Sequence, residues 1–243
     1  MMATAIEQLR VQVRSWGIEL DRSQLSLLGE YADLLAGYEL ANVIGTKDRK
    51  QIVLEHLVDS LSCLSAEGVQ WNDTLLDVGT GGGLPGIPLS VTCTELRVTL
   101  LEATEKKVRF LEYVKMELNL GNLEVLHARV EDVGRKPEFR ETFDLATARA
   151  LAALPVVIEY CAPLVHPGGK IVAMKGRLSE AELSQGIKAS RELGVELHEV
   201  LEVDYHVQLP QKERRLVVFD KIRATPDKFP RRVGLAKKRP LGE

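Results

Sequence analysis

A single acid stands in front of a burst of glycine in LLDVGTGGGLPGIP, residues 75–88. Asp77 ends a short apolar run, and glycines follow at positions 79, 81, 82 and 83. Glycine has no Cβ and adopts turn conformations that are closed to other residues, so such a run lets the backbone bend sharply and approach a ligand. The stretch therefore predicts a ligand-binding loop. The alternative is a tight turn that binds nothing.

The residue types in this loop limit which classes of ligand it can bind. GGGLPG at residues 81–86 matches the G-x-G-x-x-G motif of dinucleotide-binding proteins, which alone is weak support. Asp77 would repel a pyrophosphate, and Pro85 lacks an N–H where a phosphate-binding helix would offer one. No Lys-Ser/Thr pair follows, so a P-loop for ATP is disfavoured as well. An acid before the glycines instead suits a ligand that carries a positive charge.

A second acid continues the pattern. Glu102 ends the next predicted strand, 23 residues after Gly79, where a carboxylate can accept hydrogen bonds from both hydroxyls of a ribose. Acid, glycines, second acid is the order found in S-adenosylmethionine methyltransferases, with Asp77 near the methionyl end and Glu102 at the ribose. Val130 and Glu131 follow the third strand, where such folds pass over the adenine. An exposed loop carboxylate is the alternative for Glu131. The predicted cofactor is S-adenosyl-L-methionine.

Arg149 ends the fourth predicted strand, in TARA at residues 147–150, and we expect it as an exposed cation facing the methyl group and its acceptor. The chain has neither the Asn/Asp-Pro-Pro-aromatic clamp of adenine amino methylation nor the Pro-Cys nucleophile of pyrimidine carbon-5 methylation. A ring nitrogen with an in-plane lone pair, such as guanine N7, needs neither, and no general base is expected. Arg149 is the predicted catalytic residue, acting by orientation and electrostatics on the O6/N7 edge. The alternative is a surface arginine or one paired with Asp144.

Elements of two kinds must position these residues. After Trp71, short apolar runs alternate with amphipathic ones, which is typical of an α/β domain with a mostly parallel sheet. Seven strands are predicted, at residues 74–79, 97–102, 123–128, 143–149, 170–176, 195–200 and 215–222. Before them the periodicity is helical, with an N-cap at Asp21 and a second helix over residues 48–61. We expect a helical cap at 1–65, an α/β domain at 66–223 and a basic C-terminal tail at 224–243, together forming one compact unit.

Charge is distributed unevenly along the chain. The net charge is −3, but residues 221–243 hold eight Lys/Arg against two Asp/Glu, so this segment carries +6 and the preceding residues carry −9. A basic segment on an acidic body indicates a polyanionic partner. The segment is rich in Pro, Lys and Arg, and we expect it to be extended and mobile until it binds.

Cysteine and histidine usage set further limits. Cys63, Cys93 and Cys161 are scattered and odd in number, which suits reduced thiols in a cytoplasm better than a disulfide framework. The five histidines show no metal-ligand spacing, so no metal site is predicted. No run approaches 18 uninterrupted apolar residues. We therefore expect a cytoplasmic protein without membrane contact, and nothing in the sequence demands more than a monomer.

Nearly the whole chain resembles the RsmG family, also called GidB or glucose-inhibited division protein B, the 16S rRNA guanine-N7 methyltransferases of bacteria. The glycine stretch with LPGIP is highly specific to this family. The matching stretches are HLVDSL (56–61), LLDVGTGGGLPGIPLSV (75–91), LLEATEKKVRFLEYV (100–114), ARVED (128–132), ATARALAAL (146–154), GGKIVAMKG (168–176), ERRLVVFDK (213–221) and TPDKFPRR (225–232).

The resemblance implies a Rossmann-like class I methyltransferase fold, with a seven-stranded, mostly parallel sheet flanked by helices. It implies methylation of N7 of a guanosine in the 530 loop of 16S rRNA, either free or in the 30S subunit. Family cofactor contacts match Gly79, Leu84, Glu102–Thr104, Val130, Glu131 and Arg149, and the arginines important for activity or RNA contact match Arg129, Arg149 and Arg214. With the residues argued above, the predicted cofactor site is Asp77, Gly79, Gly81, Leu84, Glu102, Ala103, Thr104, Val130, Glu131 and Arg149. The predicted RNA contacts are Lys106, Arg129, Arg214, Arg231, Arg232, Lys237 and Lys238.

The chain departs from the family in two places. Gly37-Tyr38 and Asn42-Val43-Ile44 replace Trp-Asn and Asn-Leu-Thr, so the expected substrate contacts of that segment lose their basis. The tail also lacks the Pro often found after Gly234. The rival hypotheses are a methyltransferase with a small-molecule or protein substrate, an NAD-dependent oxidoreductase, and a cofactor-binding regulator without turnover.

Overall fold

The alternating pattern after Trp71 forms one sheet in the computed structural model, which describes residues 4–71, 73–205 and 213–242. The strands are β1 (Thr74–Val78), β2 (Arg97–Glu102), β3 (Leu123–His127), β4 (Phe143–Arg149), β5 (Val165–Lys175), β6 (Val195–Glu202) and β7 (Arg215–Lys221). Their order in the sheet is β3-β2-β1-β4-β5-β7-β6. Strands β1 to β5 are parallel, and β7 runs antiparallel between β5 and β6. The seven-stranded, mostly parallel sheet predicted from the sequence is confirmed.

One predicted strand boundary is wrong by more than two residues. Strand β5 begins at Val165, five residues before the predicted start at 170, because Val165 pairs with Phe143 before the register shifts at a bulge. The sequence hid this start, since HPGG at residues 166–169 has the composition of a turn.

Helices cover both faces of the sheet. They are α5 (Gly86–Thr92), α6 (Glu105–Glu117), α7 (Val130–Val133), α8 (Leu154–Cys161) and α9 (Glu180–Leu193). Neighbouring strand residues point to opposite faces, so Leu75 packs in the core with α5 and α6, whereas Leu76 packs in the core with α8 and α9. This two-sided cover explains why the central strands are almost wholly apolar.

The N-terminal cap packs on the α5 side of the sheet. It comprises α1 (Ala5–Ser15), α2 (Arg22–Gly37) and a continuous helical segment of four parts: α3 (Arg49–Gln51), a π-helical turn (Ile52–Leu57), α4 (Val58–Leu61) and a 3₁₀ turn (Ser62–Ser65). The predicted N-cap at Asp21 is confirmed: its carboxylate accepts from Gln24 N at 2.8 Å. The predicted helix over 48–61 is present but contains the π turn, a feature frequent at functional sites. The division into 1–65, 66–223 and 224–243 stays a prediction.

The C-terminal segment differs from expectation. It was expected to be extended and mobile, but it is folded against the body, with Phe229 and Ala236 buried and a short helix, α10 (Leu235–Lys238). The Pro-, Lys- and Arg-rich composition suggested a mobile segment, but the segment also contains an apolar residue, Phe229, that attaches it to the body. Burying Phe229 contributes on the order of 2 kcal/mol.

Within the described residues, no helix is long and apolar enough to cross a membrane. In the same residues, no group of three or more His, Cys, Asp and Glu side chains is placed to hold a metal ion. The three cysteines are free thiols.

Candidate active site

The glycine loop joins β1 to α5 at the carboxyl end of the sheet, where ligands of open α/β sheets bind. Gly79, Gly81 and Gly83 all have left-handed backbone, with φ of 67°, 63° and 95°. Gly79 N and Thr80 N donate to Leu101 O at 2.9 and 3.2 Å, which fastens the loop to the end of β2. Backbone conformation therefore favours glycine at all three positions, and close side-chain neighbours favour it further at Gly79 and Gly83.

The carboxylate of Asp77, near the end of β1, accepts hydrogen bonds from the glycine loop. Its side chain is fully buried. The Oδ2 atom accepts hydrogen bonds from Thr80 Oγ1 at 2.5 Å and from Gly86 N at 2.9 Å. The Oδ1 atom accepts a hydrogen bond from Thr147 Oγ1 at 3.0 Å. Burial raises the pKa of Asp77 to about 6, and these hydrogen bonds oppose the rise. Its oxygens thus bind the protein's own loop. Direct contact between Asp77 and the methionyl end of a cofactor stays a prediction.

Glu102 lies over the loop from the end of β2. Its Oε2 accepts from Gly81 N at 3.1 Å and its Oε1 from Thr104 N at 2.8 Å. Each oxygen has a further lone pair, so the carboxylate can still accept two hydrogen bonds from a ligand. Ala103 and Thr104 follow it and are exposed.

Glu131 lies in the first turn of α7. Its side chain is almost buried, and its Oε1 accepts from Tyr160 Oη at 3.0 Å and from Gly234 N at 2.9 Å. Burial and the nearby Glu131 carboxylate raise the pKa of Tyr160, so the hydroxyl stays protonated and donates. Two donors on one oxygen fix the orientation of the Glu131 carboxylate.

These residues surround a pocket of about 330 Å³, within the size range of small-ligand sites. The predicted cofactor residues in its lining are Gly79, Glu102, Ala103, Thr104, Val130 and Glu131. Lys107, Arg129, Leu151, Gly234 and Lys237 complete much of the rim. Asp77, Gly81, Leu84 and Arg149 lie outside this lining. Their predicted cofactor contacts remain untested.

Arg149 is not the exposed cation that the sequence suggested, because its side chain is only 12% exposed. Its Nε contacts Asp59 Oδ2 at 2.8 Å and its Nη2 contacts His56 Nδ1 at 2.7 Å. A guanidinium only donates, so His56 Nδ1 accepts, which leaves the ring proton on Nε2. The expected alternative partner Asp144 instead contacts His166 and Thr74.

Asp59 binds two arginines at once. Besides Arg149, it accepts from Arg214 Nε at 2.8 Å, and the carboxylate itself is only 5% exposed. Two guanidiniums thus share one carboxylate. His56, Asp59 and Ser60 contact Arg149 from one helical face, three and four residues apart. Sequence reasoning overlooked Asp59, although a lone carboxylate among the apolar residues of HLVDSL signalled a buried partner.

The predicted RNA contacts fall into two groups. Lys106, Arg129, Arg232, Lys237 and Lys238 are exposed. Arg214 and Arg231 are instead engaged within the protein, Arg231 through Glu159. Arg231 Nη2 lies 2.5 Å from Glu159 Oε2, and Glu159 is fully buried. Arg231 therefore serves to attach the C-terminal segment in this structure, and its contact with RNA stays a prediction.

The sequence matches the family model described as rRNA small subunit methyltransferase G over residues 24–212. A ribosomal RNA small subunit methyltransferase G from Rubrobacter xylanophilus is 50% identical over 242 residues, covering 98% of this chain and 92% of that protein. One from Acetivibrio thermocellus is 38% identical over 227 residues, covering 93% of this chain and 92% of that protein.

The fold is also similar to that of solved structures. The structure of geranyl diphosphate C-methyltransferase from Streptomyces coelicolor, in complex with Mg²⁺, geranyl diphosphate and S-adenosyl-L-homocysteine, has a TM-score of 0.56 at 13% identity. The similarity covers 83% of this chain and 99% of that chain. Sheet and neighbour together show a Rossmann-like class I methyltransferase fold.

Proposed function

Because the chain belongs to the rRNA small subunit methyltransferase G family, we propose that it transfers a methyl group to N7 of a guanosine in the 530 loop of 16S rRNA. The resemblance noted in the sequence is thereby confirmed, and the methyl donor is S-adenosyl-L-methionine. The observation that carries the proposal is the family match over nearly the full chain. It favours a methyltransferase over an NAD-dependent oxidoreductase.

The pocket residues fit this cofactor. A Cβ on Gly79 would lie 2.6 Å from Leu151 Cδ1, so a side chain at this position would displace Leu151, which also lines the pocket. Glu102 has acceptor capacity for the ribose hydroxyls, and Glu131 for the amino group of adenine. S-adenosylmethionine would supply an electrophilic methyl group on a positively charged sulfur.

Arg149 fits the role of an orienting residue. Asp59 and His56 hold its guanidinium at the end of β4, next to the strand whose terminus carries the glycine loop. Guanine N7 has an in-plane lone pair, so the protein has to align the base with the methyl group and balance charge. Arg149 and Arg214, which share the Asp59 carboxylate, each present several N–H donors that suit guanine O6 or a neighbouring phosphate.

The exposed cations supply the remaining contacts with RNA in this proposal. Arg129 lines the pocket at the N-cap of α7, Lys106 lies in the first turn of α6 next to the lining residue Lys107, and Arg232 and Lys238 lie on the C-terminal segment. Phosphate contacts dominate nucleic-acid affinity, and these positions surround the site where the base must enter. The substrate is then 16S rRNA, free or in the 30S subunit, and one copy of the chain suffices.

The test is methyl transfer from labelled S-adenosylmethionine to 30S subunits and to deproteinised 16S rRNA, both from cells that lack this protein. We expect labelled 7-methylguanosine by nucleoside mass spectrometry, in a nuclease fragment that contains the 530 loop. Subunits from cells that retain the protein are already modified and should take up no label. Label in neither RNA, with intact cofactor binding, would favour a methyltransferase whose substrate is not rRNA.

A further inference from the structure

The C-terminal segment, residues 225–242, forms one side of the candidate pocket. Gly234 and Lys237 both line it, together with Glu102 and Glu131. The amide of Gly234 donates to Glu131 Oε1 at 2.9 Å, across 103 positions of sequence. Lys237 is exposed and has no ion-pair partner among the described residues.

The attachment of this segment is built into the body of the protein. Arg231 Nε lies 2.8 Å from Glu159 Oε1, and Arg231 Nη2 lies 2.5 Å from Glu159 Oε2, a bidentate pair at a fully buried carboxylate. Arg140 Nη1 donates to Phe229 O at 2.8 Å, and Arg140 Nη2 donates to Thr225 O at 2.7 Å. The Arg231 side chain and the backbone carbonyls of Thr225 and Phe229 are thus all bound to the body of the protein. These contacts position residues 233–238 along one side of the pocket.

The chemistry of this wall complements the rest of the pocket. Glu102 and Glu131 are acceptors only, and they suit the hydroxyl and amino groups of a nucleoside. A nucleoside also carries acceptors, which are its ring nitrogens and ribose oxygens. The Lys237 ammonium is a donor only and supplies what the two carboxylates cannot.

We propose that the C-terminal segment is part of the cofactor site, in which Gly234 fixes the carboxylate of Glu131 and Lys237 donates a hydrogen bond to the adenosine half of the cofactor. Lys237 was predicted from the sequence as an RNA contact, and this assignment gives it a different ligand. The inference rests on the proposed function for the identity of that cofactor.

The experiment is calorimetric titration with S-adenosyl-L-homocysteine in the absence of RNA. Lys237→Met is compared with Lys238→Met, which removes an exposed neighbouring charge that lies outside the pocket lining. We expect Lys237→Met to weaken binding about tenfold, the effect of one hydrogen bond to a ligand, and Lys238→Met to stay within about twofold.

A third variant ends the chain at Arg232, which keeps the Arg231–Glu159 pair but removes Gly234 and Lys237. It should bind at least about thirtyfold more weakly, because the support of Glu131 is lost as well. Thermal melting without ligand shows whether each variant is folded, and the two lysine variants decide the question if the shortened chain does not fold.

Two results would overturn the proposal: equal affinity of all the variants for the cofactor product, or equal weakening by Lys237→Met and Lys238→Met. The first result, combined with weaker binding of 30S subunits, would make the segment an RNA-binding element only. The outcome is separate from that of the proposed function. The expected order of affinities supports the inference whichever RNA the wild-type protein methylates.

Discussion

Gly79 lines the candidate pocket, and a side chain at this position would displace Leu151, which also lines it. Gly79 and Gly81 both have positive φ, so a valine at either costs about 1–3 kcal/mol of backbone strain. A Cβ on Gly79 contacts Leu151 at 2.6 Å, whereas a Cβ on Gly81 meets nothing within 4 Å. We expect Gly79→Val and Gly81→Val to lose similar amounts of stability in urea denaturation. Only Gly79→Val should also lose affinity for S-adenosylhomocysteine, by about hundredfold, or 2.8 kcal/mol.

Calorimetry distinguishes the two glycine variants. An equal loss of affinity in Gly81→Val would mean that Gly81 itself contacts the cofactor, as the sequence predicted, and that displacement of Leu151 is not the cause.

The buried carboxylate of Asp77 predicts a pH dependence of stability. Its folded pKa is raised to about 6 from the ordinary 3.8, so between these values the folded protein binds a proton that the unfolded chain does not. Relative to Asp77→Asn, the wild-type free energy of unfolding should therefore fall as pH rises from about 4 to about 6, by on the order of 2–3 kcal/mol, and then level off. Urea denaturation of both proteins across this range measures the difference. A difference that does not change with pH would contradict the prediction.

Among the elements, the C-terminal segment is attached through an ion pair with a fully buried carboxylate. Arg231→Met leaves the buried Glu159 without its cation, which we expect to cost about 3–5 kcal/mol, whereas the double variant Glu159→Met/Arg231→Met should cost less. Lys228→Met is the matched control: Lys228 meets Glu192 at 3.9 Å on the surface and lies 4.9 Å from the centre of the Phe229 ring, so its loss should change stability by no more than about 1 kcal/mol.

Hydrogen exchange shows where the Arg231 variant loosens. Amides of α10 should exchange faster, while those of β1 keep their protection. Equal acceleration in both elements would show that the pair stabilises the whole fold and not the segment.

The strands were largely predictable, since their apolar runs and the turns between them are local signals. The π turn was not, because the pattern of residues 48–61 is equally helical with or without it. The Arg149–Asp59 contact joins residues 90 positions apart, and spacing along the chain carries no information about such a pair. The docking of the C-terminal segment was missed for a related reason: Glu159, which neutralises Arg231, lies 72 positions earlier.

At the scale of the whole molecule, we expect a substitution of Arg214 to weaken RNA binding without weakening cofactor binding. Arg214→Ala leaves the Asp59–Arg149 pair intact and removes one of the two positive charges that Asp59 binds. The KM for 30S subunits should rise about tenfold and the salt slope of log affinity should fall by about 1, while affinity for S-adenosylhomocysteine stays within about twofold. Arg215→Ala is the control, since Arg215 Nη1 donates to Leu178 O at 2.8 Å. A parallel loss of cofactor affinity would refute the separation.

The hydrogen bond between Gly234 and Glu131 also determines when the pocket can form while the ribosome synthesises the chain. At roughly 5–20 residues per second, a ribosome adds the amide of Gly234 about 5–20 s after Glu131, because 103 positions separate them. The nascent chain can pair its central strands in that interval, but Glu131 still lacks one of its two donors. The pocket is completed only when residues 234–237 leave the exit tunnel.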